Sequence, residues 1–387
     1  MINVFQPSLG EEELEALREV FASNWLGYGP RAKAFEAEFA EHIGARPEQL
    51  LHINSATAGL FLATELLDLG PGDEVLLPSV SFVAAGNAVM STGAKPVYCD
   101  IDPRTLNPTV DDVRRALTPD TRAVLLLHYG GYPGDVARIA ELCRERGIAL
   151  VEDAACAVSS RVGDEAVGTF GDIAVWSFDS MKVLVTGDGG MLYVRDPELA
   201  RRARRLAYHG LEQSSGFQKA RVSHRWWELD VRDIGRRVLG NDMTGAIGSV
   251  QLGKLPGFVE IRREFAELYD RLLADVPGLL LPPELPAGHT TSYYFYWVQI
   301  DAEVRDKVAA DLLDHGIYTT FRYPPLHQVE AFRQEGGGPL PATERTAETT
   351  LLLPLHHGMD AADVHTVADE VRKSMERHTG PDRPGAR

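Results

Sequence analysis

Ser177-Phe178-Asp179-Ser180-Met181-Lys182 follows the apolar run Ile173-Ala174-Val175-Trp176 and precedes the turn Thr186-Gly187-Asp188-Gly189-Gly190. A lysine just past a buried-type strand is an amine delivered to the edge of a sheet. Upstream, Ala149-Leu150-Val151-Glu152-Asp153-Ala154-Ala155 is a second apolar run that gives way to an acid. Outward from this pair, residues 50–195 alternate short apolar strands with helical patterns, the pattern of an α/β domain with a mostly parallel sheet. Strands are predicted at Glu74–Pro78, Pro96–Ile101, Ala123–His128, Ala149–Glu152, Ile173–Phe178 and Met191–Val194. Between them, Ala58–Leu69 reads as a helix stopped by Gly70-Pro71, and Val136–Arg146 as one stopped by Gly147.

Past a loop-rich stretch around 212–240, Gly257–Asp275 reads as a long linking helix. The aromatic and β-branched run Ser292–Ile300 is a predicted strand. A helix near 303–315, a short strand near 317–321 and a last helix near 361–376 follow. The predicted organisation is a large α/β domain over 1–255 with an N-terminal arm, a smaller α+β domain over 256–377, and a frayed tail over 378–387.

The chain has 387 residues, 44% hydrophobic and 25% charged, with a net charge of −17. That charge argues against non-specific nucleic-acid binding and against docking on an anionic membrane. It leaves anionic ligands open, because phosphates are held by local helix termini. No apolar run approaches the ~20 residues of a membrane span. The start, Met1-Ile2-Asn3-Val4-Phe5-Gln6-Pro7, lacks the charged and apolar regions of a secretory signal. Cys99, Cys143 and Cys156 form neither a metal pattern nor a disulfide framework, so a cytoplasmic location is expected.

Lysine is scarce: Lys33, Lys95, Lys182, Lys219, Lys254, Lys307 and Lys373 are the full set. Only Lys182 follows a buried-type strand and precedes a glycine-rich turn; the others read as solvated charges. An amine paired with a strand-end carboxylate is what pyridoxal phosphate chemistry needs. The amine forms an imine with the cofactor aldehyde, and the acid keeps the pyridine nitrogen protonated. Asn54-Ser55-Ala56-Thr57-Ala58-Gly59 opens the first helix of the α/β domain with small residues. It reads either as an ordinary cap or as an anion seat. Phe82, at the carboxyl edge of the sheet, could stack on a flat ring or belong to the core. Ser177 could offer a hydroxyl to a phosphate.

These pieces resemble the sugar aminotransferases of the DegT/DnrJ/EryC1/StrS family from Asn24 to about Arg377. The matching motifs are Asn24-Trp25-Leu26-Gly27-Tyr28-Gly29-Pro30, Pro71–Val75, Pro96–Asp102, Glu152–Ala155, Ser177–Lys182, Gly187–Gly190 and Tyr323-Pro324-Pro325-Leu326-His327. The resemblance implies fold type I, with a mostly parallel seven-stranded sheet between helices and a smaller α+β domain. It implies pyridoxal phosphate bound to Lys182, with Asp153 on the pyridine nitrogen and Phe82 on the ring. Ala56, Thr57 and Ser177 would hold the phosphate, and a second subunit would complete the site of a homodimer. The chain departs from the family at Cys156, where His or Gln usually reaches the pyridoxal hydroxyl. It departs again at Arg237, in place of the Asn that reaches the partner's phosphate, and at Asp179.

The activity so implied is amination of a nucleotide-linked (dTDP or UDP) 4-keto-6-deoxy sugar, a dTDP-4-keto-6-deoxy-hexose foremost, with glutamate as donor. Trp25, Tyr28, Arg322, Tyr323 and His327 are the candidate sugar contacts. Action at C3 of a keto-sugar or on a cyclitol ketone is the alternative within the same chemistry. A same-fold dehydrase would carry histidine at Lys182. A catalytically silent pyridoxal-phosphate regulator fits poorly with an intact lysine–aspartate pair.

Overall fold

The structure, a computed structural model, describes residues 1–212, 225, 227–334 and 337–379. In chain order its strands begin with β1 (Leu50–Ile53), β2 (Glu74–Pro78), β3 (Lys95–Cys99), β4 (Thr121–Leu127) and β5 (Ala149–Asp153). The two-residue strands β6 (Arg161–Val162) and β7 (Glu165–Ala166) precede β8 (Ile173–Ser177) and β9 (Gly190–Val194). Seven of these form one sheet in the order β1-β9-β8-β5-β4-β2-β3. Strands β3, β2, β4, β5 and β8 run parallel, while β9 is antiparallel to both β8 and β1. The central strands β5, β8 and β9 are buried on both faces apart from Ala149. Sequences such as Ile-Ala-Val-Trp-Ser suit that position, because helices cover both sides of such a sheet.

Register converts this order into a site. Leu127 pairs with Asp153, Asp153 with Val175, and Ser177 with Gly190. The parallel strands therefore end at one edge, and the antiparallel β9 begins there. That carboxyl edge is where open α/β sheets bind ligands.

Several sequence expectations are corrected. The first helix of the domain runs Ala56–Leu66 and does not stop at Gly70. Asp68 takes the left-handed backbone (φ 50), which a short polar side chain tolerates, and Arg202 holds its carboxylate at 2.7 Å. Gly147 does close the helix Val136–Arg146, at φ 65. The linking helix begins at Asp242, not Gly257, and ends at Leu273, so it carries the chain uninterrupted past residue 255. Asn241 caps it by accepting the Thr244 N–H at 3.0 Å. Gly245 and Gly248 let it press on Ala32 and Phe35, where added Cβ atoms would meet neighbours at 2.8 and 2.6 Å. Glycines here, and Pro256 inside the helix, look like loop and boundary in sequence.

The C-terminal strands are β10 (Leu279–Leu280), β11 (His289–Thr290), β12 (Tyr296–Ile300) and β13 (Thr350–Leu353). A second sheet has the order β10-β12-β13 and shares a core with the helices Ala302–Asp314 and Ala361–Thr379. The predicted strand Ser292–Ile300 pairs only from Tyr296, because Tyr293 takes a positive φ of 47 and turns the chain. The strand expected near 317–321 reduces to single bridges, Ile2 to Ile317 and Thr320 to Leu352. Of the tail expected to fray, His378 and Thr379 belong to the last helix, and 380–387 lie outside the described residues.

Candidate active site

At the carboxyl edge lies a cleft of about 250 Å³. Its walls are Ser55-Ala56-Thr57 at the start of a helix, Phe82 beyond β2, Asp153 at the end of β5, and Ser177 at the end of β8. Asp179, Met181, Lys182 and Asp188 come from the loop joining β8 to β9, and Tyr294, Arg322 and Tyr323 from the C-terminal part. A larger open groove of about 880 Å³ adjoins it along Asn54–Leu69, Arg202 and Arg236. That groove holds no amine facing a buried carboxylate, so the smaller cleft is where chemistry is assembled.

Asp153 is 2% exposed, and burial raises its carboxyl above the usual range. The Ala155 N–H, donated to Oδ1 at 3.1 Å, and the charges of Lys182 and His128 act the other way. A carboxylate kept in such a place is costly without a cationic partner. Behind it, His128 Nε2 lies 2.9 Å from Glu152 Oε2, and Glu152 also accepts the N–H groups of Gly168 and Gly171.

The Lys182 amine lies 3.8 Å from Cys156 Sγ and 4.5 Å from the centre of the Tyr294 ring. Burial opposes its charge, but Cys156, Tyr294 and Asp153 outweigh that, and its pKa is raised. Burial likewise pushes the Cys156 thiol and the Tyr294 phenol up. The loop is fixed at its base: Phe178 N–H bonds Gly189 O, Thr186 N–H bonds Phe178 O, and Lys182 N–H bonds Asp179 O.

The opposite wall is a helix N-terminus with the geometry to receive an anion. Ser55 Oγ accepts the Ala58 N–H at 3.1 Å, which leaves the N–H groups of Ala56 and Thr57 at the open end of the helix. Gly190 permits this approach; a Cβ there would lie 2.7 Å from Ala56 N and 2.8 Å from Trp176 O. Phe82 is 44% exposed, and its ring meets that of Tyr323 at 5.4 Å. An amine, a buried acid, a helix terminus and aromatic walls in one cleft fit a phosphorylated pyridine aldehyde.

The structure thus brings together Ala56, Thr57, Phe82, Asp153, Ser177, Lys182, Arg322 and Tyr323, with Cys156 against the amine. It places four other candidates elsewhere within the chain. Tyr28 spends its hydroxyl on Glu36 at 2.9 Å, and Arg204 donates to that hydroxyl. Trp25 is 56% exposed and folds over Gly29, donating Nε1–H to Tyr28 O. His327 is bonded through Nδ1 to Ser79 Oγ at 2.6 Å and through Nε2 to Glu344 at 3.2 Å. It ties the segment 325–327 to the end of β2 and does not line the cleft. Arg237 is exposed, with its guanidinium 5.3 Å above the Tyr208 ring. Sequence reasoning missed Tyr294, because it sat inside a run read as one strand. It also missed Phe5, whose ring stacks on Tyr294 at 5.5 Å.

Comparison with known proteins matches residues 7–372 to the model of the DegT/DnrJ/EryC1/StrS aminotransferase family. A dTDP-4-dehydro-2,3,6-trideoxy-D-glucose 4-aminotransferase of Saccharopolyspora spinosa is 64% identical over 378 residues, 98% of each chain. The crystal structure of the aminotransferase TlmJ from Streptoalloteichus hindustanus superposes with a TM-score of 0.93 at 60% identity, covering 98% of this chain and 100% of that one. The PLP-form of a sugar aminotransferase described as putative, Spr1654 from Streptococcus pneumoniae, shares the fold with a TM-score of 0.88 at 23% identity, over 96% and 98%.

Proposed function

Since the chain belongs to the DegT/DnrJ/EryC1/StrS aminotransferase family, we propose that it aminates the C4 ketone of a dTDP-linked 4-keto-6-deoxy sugar, with glutamate as donor. It is a pyridoxal-phosphate-dependent sugar aminotransferase. The C4 position and the dTDP carrier are supported by the Saccharopolyspora relative, whose name specifies both. The observation that carries the reading is the Lys182 amine and the buried Asp153 carboxylate facing one cleft whose other wall is a helix N-terminus.

When bound, pyridoxal phosphate supplies an electron sink for carbanion chemistry next to nitrogen. Asp153 would keep the ring nitrogen protonated and so stabilise its own buried charge. Ala56 and Thr57, through their N–H groups, and Ser177, through its hydroxyl, would hold the phosphate, and Phe82 would cover the ring. Lys182 would carry the cofactor at rest and, once released, move a proton between the donor's α-carbon and the cofactor's C4′, on the aromatic floor of Tyr294. Cys156, beside the Lys182 amine, would offer the cofactor hydroxyl only a weak donor.

Borohydride reduction of the holoenzyme followed by peptide mapping is expected to place the pyridoxyl group on Lys182. Lys182→Ala is expected to lose both the visible absorbance band and transamination. An adduct on another lysine overturns the assignment. The reading extends to a homodimer in which Arg237 reaches the partner's cofactor phosphate, since an exposed arginine is a fitting clamp for a dianion. Sedimentation should then give twice the chain mass, and Arg237→Ala should weaken cofactor affinity about tenfold or more. A monomeric mass, or unchanged affinity, removes that part of the proposal.

A further inference from the structure

We propose that Arg322, laid on the ring of Phe5, receives the α-carboxylate of the amino donor; the proposal rests on the aminotransferase reading above. The cleft carries three acids, Asp153, Asp179 and Asp188, against two cations, Lys182 and Arg322. An amino-acid donor brings carboxylates into that acidic lining, and such a group enters only against a compensating cation. Lys182 is committed to the reacting centre. Arg322 is the cation left over.

Its surroundings leave its donors free. The arginines of the adjoining groove are paired: Arg202 with Asp68 and Arg236 with Glu65. Among the described residues Arg322 has no such carboxylate. Among the described residues its side chain makes one hydrogen bond, from Nη2 to the thioether of Met181 at 3.5 Å. The guanidinium lies 4.9 Å from the centre of the Phe5 ring. An aromatic face holds a guanidinium plane without consuming N–H groups, so the fork that matches a carboxylate bidentately stays available.

Phe5 is itself fixed. Ile2 N–H bonds Gly316 O at 2.8 Å and Tyr318 N–H bonds Ile2 O at 2.9 Å, which pins the N-terminal segment beside the strand-like stretch leading to Arg322. The Phe5 ring lies nearly parallel to Tyr294, at 19°, and the Tyr294 ring is the one beneath the Lys182 amine. One aromatic pair therefore connects the reacting amine to the free guanidinium. Arg322 touches the donor in this proposal, and Phe5 is its positioning residue.

The test separates the two half-reactions of the holoenzyme, each followed by the absorbance of the bound cofactor. One runs with glutamate, the other from the aminated form with keto-sugar. Arg322→Gln is expected to raise the half-saturating glutamate concentration about tenfold to a hundredfold. The shift for the keto-sugar should be at least tenfold smaller. Phe5→Ala should reproduce part of the glutamate effect, about threefold to tenfold, and Phe5→Trp should restore it. Calorimetry with glutarate, an unreactive dicarboxylate, should show binding to the unaltered holoenzyme and its loss in Arg322→Gln. Equal shifts for both substrates, or a larger one for the keto-sugar, overturn the proposal and assign Arg322 to the nucleotide's phosphates or to the framework. Arg322 is partly exposed, so Arg322→Gln decides the matter even where Phe5→Ala fails to accumulate. Absence of any amine-driven conversion in the unaltered protein sinks the aminotransferase reading, and this proposal with it.

Discussion

Asp153 ends one largely apolar strand and Lys182 stands in the loop just past another, and that is why a bare sequence exposes them: a charged group beside the end of a buried strand has few ordinary uses. Tyr28 and His327 show the opposite case. Residue type suggests a ligand contact, but what decides their role is which group takes their polar atoms. Ser79 is far from His327 in sequence, and although Glu36 is only eight residues from Tyr28, nothing in one chain's spelling reveals either pairing. At Asp153 the consequence is testable. Asp153→Asn preserves shape while removing the negative charge that would hold the ring nitrogen's proton. Pyridoxal phosphate should still bind, and turnover should fall about a hundredfold or more. Near-normal turnover with full cofactor occupancy would count decisively against the role.

Between elements, a tight constraint on the site is the contact between the first residue of β9 and the start of the helix Ala56–Leu66. Gly190 is legible as part of a glycine-rich turn, but its partner was not, because β1 was missed and with it the sheet edge beside β9. Adding one methyl at Gly190 puts it 2.7 Å from Ala56 N and 2.8 Å from Trp176 O, both backbone atoms that cannot swing aside. Gly190→Ala should therefore cost about 1–3 kcal/mol of stability and also push the helix terminus off its anion. We expect a lower denaturant midpoint together with cofactor affinity weakened about tenfold. Loss of stability with unchanged affinity would show that the helix start is not the phosphate seat. The same element scale shows where periodicity fails. Gly245, Gly248 and Pro256 sit inside one continuous helix because close packing on Ala32 and Phe35 outweighs their poor helix propensity.

Over the whole molecule, the alternation of strands and helices correctly gave a mostly parallel sheet, since the period of apolar residues survives in any single sequence. Its seven-stranded extent rests on the family resemblance, and the opposed direction of β9 is visible only in the structure. Global stability carries its own signature at His52 in β1. Burial drops its pKa to about 4 from the ordinary 6.5, and its ring packs edge-on against Phe35 and under Gly240. Because the folded value is depressed, the unfolded chain binds a proton below pH 6.5 while the native ring does not. Stability is thus intact above about pH 6.5 and drains away as pH falls towards 4. The gap between 6.5 and about 4 corresponds to roughly 3 kcal/mol, at 1.36 kcal/mol for each tenfold change in proton affinity. Urea titrations at pH 7 and pH 4 should show His52→Gln losing about 3 kcal/mol less than the unaltered protein across that interval. Identical losses would exclude the histidine as the source.

The closed base of the β8–β9 loop has a consequence for how such an enzyme changes over generations. Ser177 and Gly190 pair across the base, and Phe178 is bonded to both Gly189 and Thr186. Lys182 is therefore addressed from the foot of a hairpin and not through the chain's long-range topology. Drift at Ser180 or Met181 is expected to alter what the loop tip offers an incoming ligand while the sheet beneath it stays in register. Inheritance of the reaction and divergence of its clientele are mechanically uncoupled within a dozen residues.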